Sequence, residues 1–439
     1  MTISIDCPGC KRTLQVGYFA VAGRTTCPRC GTLIDLNAPP RTESDTFAVA
    51  PVDEEALPPS TGTSSPQRKA PEVSRALTSA APLRPATNEL LPAPEPPQSA
   101  WRLAFLLLAF IPLAYSVFVD EPDVQTRLRE TLEQNPAAAK AIKALPDDAE
   151  IDDVLALLPD QRIIGAHLPR GSNMPWLYAA TGLFGFFAIA RAILPLGRTP
   201  ANQLYVAAVS TATYGLVLLT VIQWVAEMSQ HLHGFRGHVV VILVVLFVQA
   251  IGFSYRAALD PSMGLLPSLF GFTFGVGLCE EFVKSIPVLF RVQSHPEDDW
   301  RDAAAWGFAS GVGFGAAEGI MYAADYYNGL SGGTIYVVRF ISCVALHAVW
   351  SAAVGIAIWR NRRWFDYSQT WWEWGLFFLK VVYVPMILHG LYDTLLKRDM
   401  HVTALICAGC SVAWLAAIWE RARRELERQT ESSADLDVS

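Results

Sequence analysis

The chain is poor in charge. Only 17% of its 439 residues are Asp, Glu, Lys or Arg, against 52% hydrophobic ones, a balance too apolar for a typical soluble domain. It reads as a polytopic membrane protein, and a net charge of −7 then says little about partners. Basic residues are scattered over helix ends and the two tails, so no nucleic acid is expected as a partner. The opening Met1-Thr-Ile-Ser-Ile-Asp-Cys7 has neither a basic n-region nor an apolar h-region. No cleavable signal peptide is therefore expected, and the first membrane segment has to direct insertion. No His-Glu-x-x-His helix occurs, which removes the helical zinc-peptidase signature. No inverted repeat is visible either, which weighs against a transporter built from matching halves.

Cysteine is scarce, but four of the eight are placed with purpose: Cys7-Pro-Gly-Cys10 and Cys27-Pro-Arg-Cys30. Two Cys-x2-Cys knuckles at this spacing suit a zinc ribbon, in which four thiolates close one tetrahedral ion. Two disulfides are the alternative, and the missing export signal favours metal. We expect a small β zinc ribbon over residues 1–37, on the cytosolic side, holding a structural Zn2+ and serving protein contact or regulation. Residues 38–99, rich in Pro, Ala, Ser and Thr, bury too little apolar surface to offset the entropy of ordering and read as a disordered linker.

Nine apolar segments follow, at about 103–119, 176–197, 204–229, 239–258, 264–290, 303–324, 334–359, 374–396 and 401–419. Most are long enough for a helix to cross a hydrocarbon core about 30 Å thick. The fold class is thus an all-α polytopic membrane protein with about eight or nine transmembrane helices and a small N-terminal β zinc ribbon. The membrane domain spans 100–424, with a polar helical loop over 120–175 and a disordered tail over 425–439. The clusters Arg360, Arg362, Arg363 and Arg421, Arg423, Arg424 favour the cytoplasmic side, as does Arg102. Seven segments between Arg102 and Arg360 invert the side, so either one of them is re-entrant, interfacial or broken, leaving eight full spans, or the charge rule is violated; the first segment and 264–290 are the suspects.

Charge inside the apolar runs is the informative exception. Glu280, Glu281 and Lys284 share one face of a helix, Glu318 ends the small-residue run from Gly311, and Arg339, His347, His389 and Asp393 follow in later segments. A charged side chain at mid-bilayer costs roughly 2.5–3.5 kcal/mol. As a set these residues must meet each other or water, although each alone also reads as an interior ion pair or a satisfied histidine. Cys279 sits beside Glu280 but lacks a nearby histidine in sequence to activate it.

Glu-Glu-x-x-Lys (Glu280, Glu281, Lys284), Phe-x-x-x-Glu (Phe314, Glu318), the helix with His347, and His-x-x-x-Asp (His389, Asp393), in this order, resemble the PrsW family of intramembrane proteases. The resemblance covers about residues 264–397, the protease-like core. Glu318 and Asp393 stand where the related CAAX prenyl endopeptidases carry His and Asn, which makes a prenylated substrate unexpected. The resemblance implies an intramembrane endopeptidase of the cell membrane acting on membrane-protein substrates, anti-sigma-factor-like regulators among them. It assigns water activation to Glu280 and Glu281, with His347, His389 and Glu318 as further catalytic residues and Lys284, Asp393 and Phe314 in support. A metal-independent, glutamate-based hydrolase is the favoured mechanism, and zinc held by Glu281, Glu318, His347 and His389 is the alternative. A proton-coupled transporter and a non-catalytic scaffold regulated through the ribbon are the competing functions.

Overall fold

The computed structural model describes residues 100–438, apart from 120, 147–148, 195–198, 232–237, 261 and 368–369, together with four short strands between residues 2 and 35. Met1–Pro96 and Pro97–Ser439 are separate units. In the first, β1 (Thr2–Asp6) pairs antiparallel with β2 (Thr13–Gly17), and β3 (Arg24–Thr26) with β4 (Leu33–Asp35). Cys7, Cys10, Cys27 and Cys30, and with them the zinc-ribbon expectation, lie outside the described residues, as does the 38–99 linker.

The second unit opens with the short apolar helix α1 (Ala100–Ser116). The polar loop that follows holds α2 (Val124–Gln134), α3 (Pro136–Ile142) and α4 (Ile151–Ala156). Asp123 caps α2 by accepting from the amides of Gln125 and Thr126, as an N-cap carboxylate does. Leu155, Leu158 and Ile163 give this loop a small core of its own. The Ile163 and His167 amides donate to Gly329 O and Ser331 O, each at 2.9 Å, tying the loop to the turn after α9 introduced below.

Eight long helices build the rest: α5 (Met174–Ile193), α6 (Ala201–Ser229), α7 (Val239–Leu259), α8 (Leu265–Ser294), α9 (Trp300–Tyr322), α10 (Gly333–Arg360), α11 (Trp371–Lys397) and α12 (His401–Val438). Among the described residues seven helices, all of these except α9, are long and apolar enough to cross a membrane. α9 falls short because it is made largely of Gly and Ala and carries Arg301, Asp302 and Glu318. Its position explains the composition: almost every residue from Asp302 to Gly319 is buried by other helices, so no lipid-facing apolar surface is needed. Low hydropathy here marks the centre of the bundle.

Gln230, just past α6, donates to Gln249 O at 2.8 Å and bonds to Arg256, while Lys397 at the end of α11 holds Ala258 O and Asp260 O. Gln249 also donates to Ser229 O at 2.8 Å, and a Cβ on Gly252 would stand 2.5 Å from Ala226 O, so the end of α6 packs antiparallel against the second half of α7, which finishes where α8 begins. The suspected break at 264–290 is absent, since α8 is continuously helical and only winds as a π-helix over Phe272–Gly277. At the opposite end, Trp359 Nε1 reaches Asp298 O and Trp300 packs edge-on to Trp419. This gathers the loop after α8 with Arg360–Arg363 and Arg421–Arg424 at one end, as a shared cytoplasmic side requires.

The final helix carries helical backbone to Val438, where the sequence led to the expectation of a disordered tail over 425–439. Arg424 pairs with Glu420 and Arg423 with Glu427, i,i+4 pairs that favour helix at a water-exposed end.

Candidate active site

Glu280, Glu281 and Lys284 project from α8 directly after its π-helical stretch, a backbone irregularity common at functional sites. All three are buried, Glu281 completely. Lys284 Nζ lies 2.7 Å from Glu281 Oε1 and 3.8 Å from Glu280 Oε2, the one-face arrangement expected from the spacing. The backbone here is held from α9, where Ser310 Oγ donates to Lys284 O at 2.7 Å and meets Thr211 Oγ1 of α6 at 2.8 Å.

His347 comes from α10, which lies against α9 along a seam of glycines. Its Nε2 is 2.9 Å from Glu318 Oε2, and Arg339 pairs with the other oxygen of Glu318 while its guanidinium stacks over Tyr322 at 4.0 Å. A neutral imidazole has one N–H. With that proton on Nε2, the hydrogen-bond network leaves Nδ1 with its lone pair toward Lys284 Nζ at 2.9 Å and Glu280 Oε2 at 4.0 Å.

His389 comes from α11. A Cβ on Gly277 would stand 2.8 Å from Met386 O, and one on Gly390 2.5 Å from Thr273 N; only glycine lets the two backbones approach this closely. His389 Nδ1 is 3.1 Å from Glu281 Oε1, and its Nε2 faces Glu280 Oε2 at 3.4 Å and Asp393 Oδ2 at 3.3 Å. Trp350 stacks on the ring at 4.7 Å, fixing its plane. Phe314 lies 5.4 Å from the His347 ring with Lys284 Nζ 4.9 Å above it.

The structure thus brings together Glu280, Glu281, Lys284, Phe314, Glu318, His347, His389 and Asp393 from four helices. Arg339 joins them as a second cation, and Ser310 and Trp350 are supports that their sequence positions gave no reason to assign. Glu318 buttresses His347 from outside and Glu281 does the same for His389, so the donor set weighed from the sequence changes. Among the described residues the group able to hold a metal is Glu280, His347 and His389, whose ligand atoms all lie within 4.8 Å of one another. Cys279 points elsewhere, packed with Leu219 and Ile251 in a separate apolar cluster. Asp393, at 22% side-chain exposure, is the most open acid of the set, against 5% for Glu280.

A family model described as "PrsW family intramembrane metalloprotease" matches residues 199–419, half of the chain, and includes every residue of the cluster. The chain is 25% identical over 151 residues to the protein named "Protease PrsW" from Oceanobacillus iheyensis, an alignment covering 34% of this chain and 65% of that protein. No solved structure matches the chain.

Proposed function

The chain belongs to the PrsW family of intramembrane metalloproteases, and on that premise we propose that it is a membrane-embedded endopeptidase of the cell membrane, cleaving membrane-protein substrates at the cluster around Glu280. The observation that carries the proposal is the approach of Glu280 Oε2 to His389 Nε2 (3.4 Å) and His347 Nδ1 (4.0 Å) from three separate helices.

The family's description as a metalloprotease runs against the metal-independent expectation, and three features of the site fit a metal. Glu280 Oε2 is buried and makes no hydrogen bond among the described residues. The two imidazole nitrogens turned toward it are those whose opposite ring nitrogens rest on Glu318 and Glu281, the usual outer support of a histidine ligand. Charge is the third. Four carboxylates (Glu280, Glu281, Glu318, Asp393) face two permanent cations (Lys284, Arg339), leaving a deficit that a divalent ion would neutralise. Glu280 Oε2, His347 Nδ1 and His389 Nε2 would hold it, a His2Glu set of the kind catalytic zinc uses. The metal, when bound, polarises a peptide carbonyl and makes a bound water more acidic.

The remaining work falls to the chain. Water reaches the cluster at Asp393, the exposed member. The second oxygen of Glu280 is the acceptor we assign to the proton of the attacking water, which it returns to the leaving amine, a contribution of about 10²–10⁴ in rate. Glu281 orients His389, and Lys284 holds Glu281 in place. Arg339 and Glu318 orient His347, and the buried walls around Trp350 and Phe314 exclude other water. Comparing the membrane proteome of cells carrying the native chain or Glu280→Gln tests the proposal. Truncated membrane-protein fragments that depend on Glu280 are expected, and identical fragment sets in the two strains would reject a peptidase.

A further inference from the structure

A groove between α1, α5 and α10 shares no residue with the Glu280 cluster. It has a volume of about 1150 Å3, and Trp101 and Phe105 in its wall are 62% and 51% exposed, so it opens sideways, toward the lipid. Its floor is bare at Gly185, where a Cβ would meet no atom within 4 Å. Between Ala192 and Gly182, both in the same wall, α5 rises about 15 Å at 1.5 Å per residue. That is the depth of one leaflet of a hydrocarbon core about 30 Å thick.

The Ala192 end of this stretch is the one that the arginine clusters mark as cytoplasmic. Thr199, just past α5, donates its amide and hydroxyl to Asp302 Oδ1 at 2.8 and 2.7 Å, which sets the end of α5 beside the start of α9. Arg102 lines the groove at the same end. Ser342 Oγ of α10 donates to Ala109 O at 2.8 Å, fixing α1 at mid-depth, and Arg102 lies on the side of that contact away from the loop tied to Gly329. Among the described residues lining the groove, Arg102 is the only arginine or lysine and there is no carboxylate. It is half-buried and has no ion pair or hydrogen bond among the described residues. Arg191, next to Ala192 on α5, is exposed and equally unpaired. Carboxylates at this end of the bundle are engaged by other arginines: Asp298 by Arg291, Asp299 by Arg301, Glu420 by Arg423 and Arg424, and Glu425 by Arg360.

Two unpaired guanidiniums at the mouth of an apolar groove suit an anion that carries an apolar tail. A membrane helix of another protein fits less well, because its cytoplasmic flank is usually basic, whereas the lipid of that leaflet is the anionic one. We propose that the groove binds one anionic phospholipid of the cytoplasmic leaflet. Its phosphodiester accepts from the planar fork of Arg102, Arg191 adds a second charge beside it, and an acyl chain lies over Gly185 toward Gly182. The inference stands apart from the peptidase reading, since none of these residues belongs to the Glu280 cluster.

The test is native mass spectrometry of the full chain purified in detergent, with phosphatidylglycerol or phosphatidylcholine added. One phosphatidylglycerol is expected to be retained in preference to phosphatidylcholine. Arg102→Gln should weaken its retention about tenfold, the worth of one hydrogen bond to a charged group, and Arg191→Gln about fivefold, the worth of one basic residue near an anionic surface. Gly185→Phe places a ring where the acyl chain lies and should lower retention at least about tenfold. The space around Gly185 is open, so this variant is expected to fold as the native chain does, with unchanged elution on size exclusion. Equal retention of the two phospholipids by the native chain would overturn the site, as would native retention of phosphatidylglycerol by either Arg102→Gln or Gly185→Phe.

Discussion

A Cβ on Gly311 would stand 2.2 Å from the carbonyl oxygen of His347, so the backbone of α9 lies directly against the turn of α10 that carries this imidazole of the proposed site. Gly307 and Gly355 repeat the contact against Ser351 O and Ala303 O, each at 2.1 Å. This seam sets how far His347 stands from Glu280. It is the small-residue packing that membrane helices use in place of a hydrophobic driving force.

Gly311→Val is therefore expected to push the helices apart. Overpacking typically costs about 1–3 kcal/mol, and here the opposing atoms are backbone, which cannot rotate away. Thermal unfolding in detergent should fall, with proteolytic activity reduced at least about tenfold as Nδ1 leaves Glu280. Gly409→Ala is the control, because nothing lies within 4 Å of a Cβ there. A Gly311→Val protein as stable and active as the native one would show that the seam does not set the site.

The two adjacent glutamates should separate in a melting experiment. Glu281 is completely buried between Lys284 Nζ at 2.7 Å and His389 Nδ1 at 3.1 Å. Glu281→Gln strands the lysine charge, and breaking a buried pair from one side costs about 3–5 kcal/mol. Glu280→Gln keeps the shape and removes an oxygen that makes no hydrogen bond among the described residues, so stability should hold while cleavage falls about 10²-fold or more. If the two variants melt alike, the division of labour between supporting and reacting acid is wrong.

Arg339 pairs with Glu318, which holds His347, so on the proposed mechanism it acts through them and not on substrate. Arg339→Ala leaves the Glu318 carboxylate buried beside an imidazole alone, and kcat should drop with KM little changed. Arg339→Lys restores the charge without the planar fork or the stacking on Tyr322, so recovery should be partial. A rise in KM with kcat intact would instead place the guanidinium on the substrate.

Much of this site was legible because charge in an apolar run is costly: Glu280, Glu281, Glu318, His347 and His389 announce themselves by that cost, and convergence follows from it. Helix rotation was not legible. Whether Glu280 or Glu281 faces both imidazoles depends on how α8 and α11 seat at Gly277 and Gly390, a contact between segments far apart in the chain. Ser310 is one small polar residue among many, and nothing local marks it as the partner of Lys284 O. The hydropathy pattern located α9 correctly but gave no sign that it is the central helix, since burial by protein and burial by lipid ask for different compositions. The first segment, one of the two suspects in the crossing conflict, is the apolar helix too short to stand with the seven spanning ones among the described residues.

Metal content gives the last prediction, and it has to be measured with the N-terminal thiols out of the way. The spacing of Cys7, Cys10, Cys27 and Cys30 leads to the expectation of a zinc of their own, so zinc measured in the native chain would report on both places at once. In a protein with these four replaced by Ser, about one equivalent of metal should remain if Glu280, His347 and His389 hold it. Adding His347→Ala and His389→Ala should then remove that equivalent, since each deletes one of the three atoms grouped within 4.8 Å. Glu318→Gln touches no ligand atom but loosens the carboxylate at His347 Nε2, and outer-shell changes of this kind typically cost about 10–100-fold in affinity. Lys284 supplies the internal check. Its ammonium lies 2.9 Å from His347 Nδ1, the nitrogen assigned to the metal, so Lys284→Met should leave metal binding intact or tighter while weakening the hold on Glu281. A four-serine protein that is fully active and free of metal would return the mechanism to carboxylate and imidazole alone.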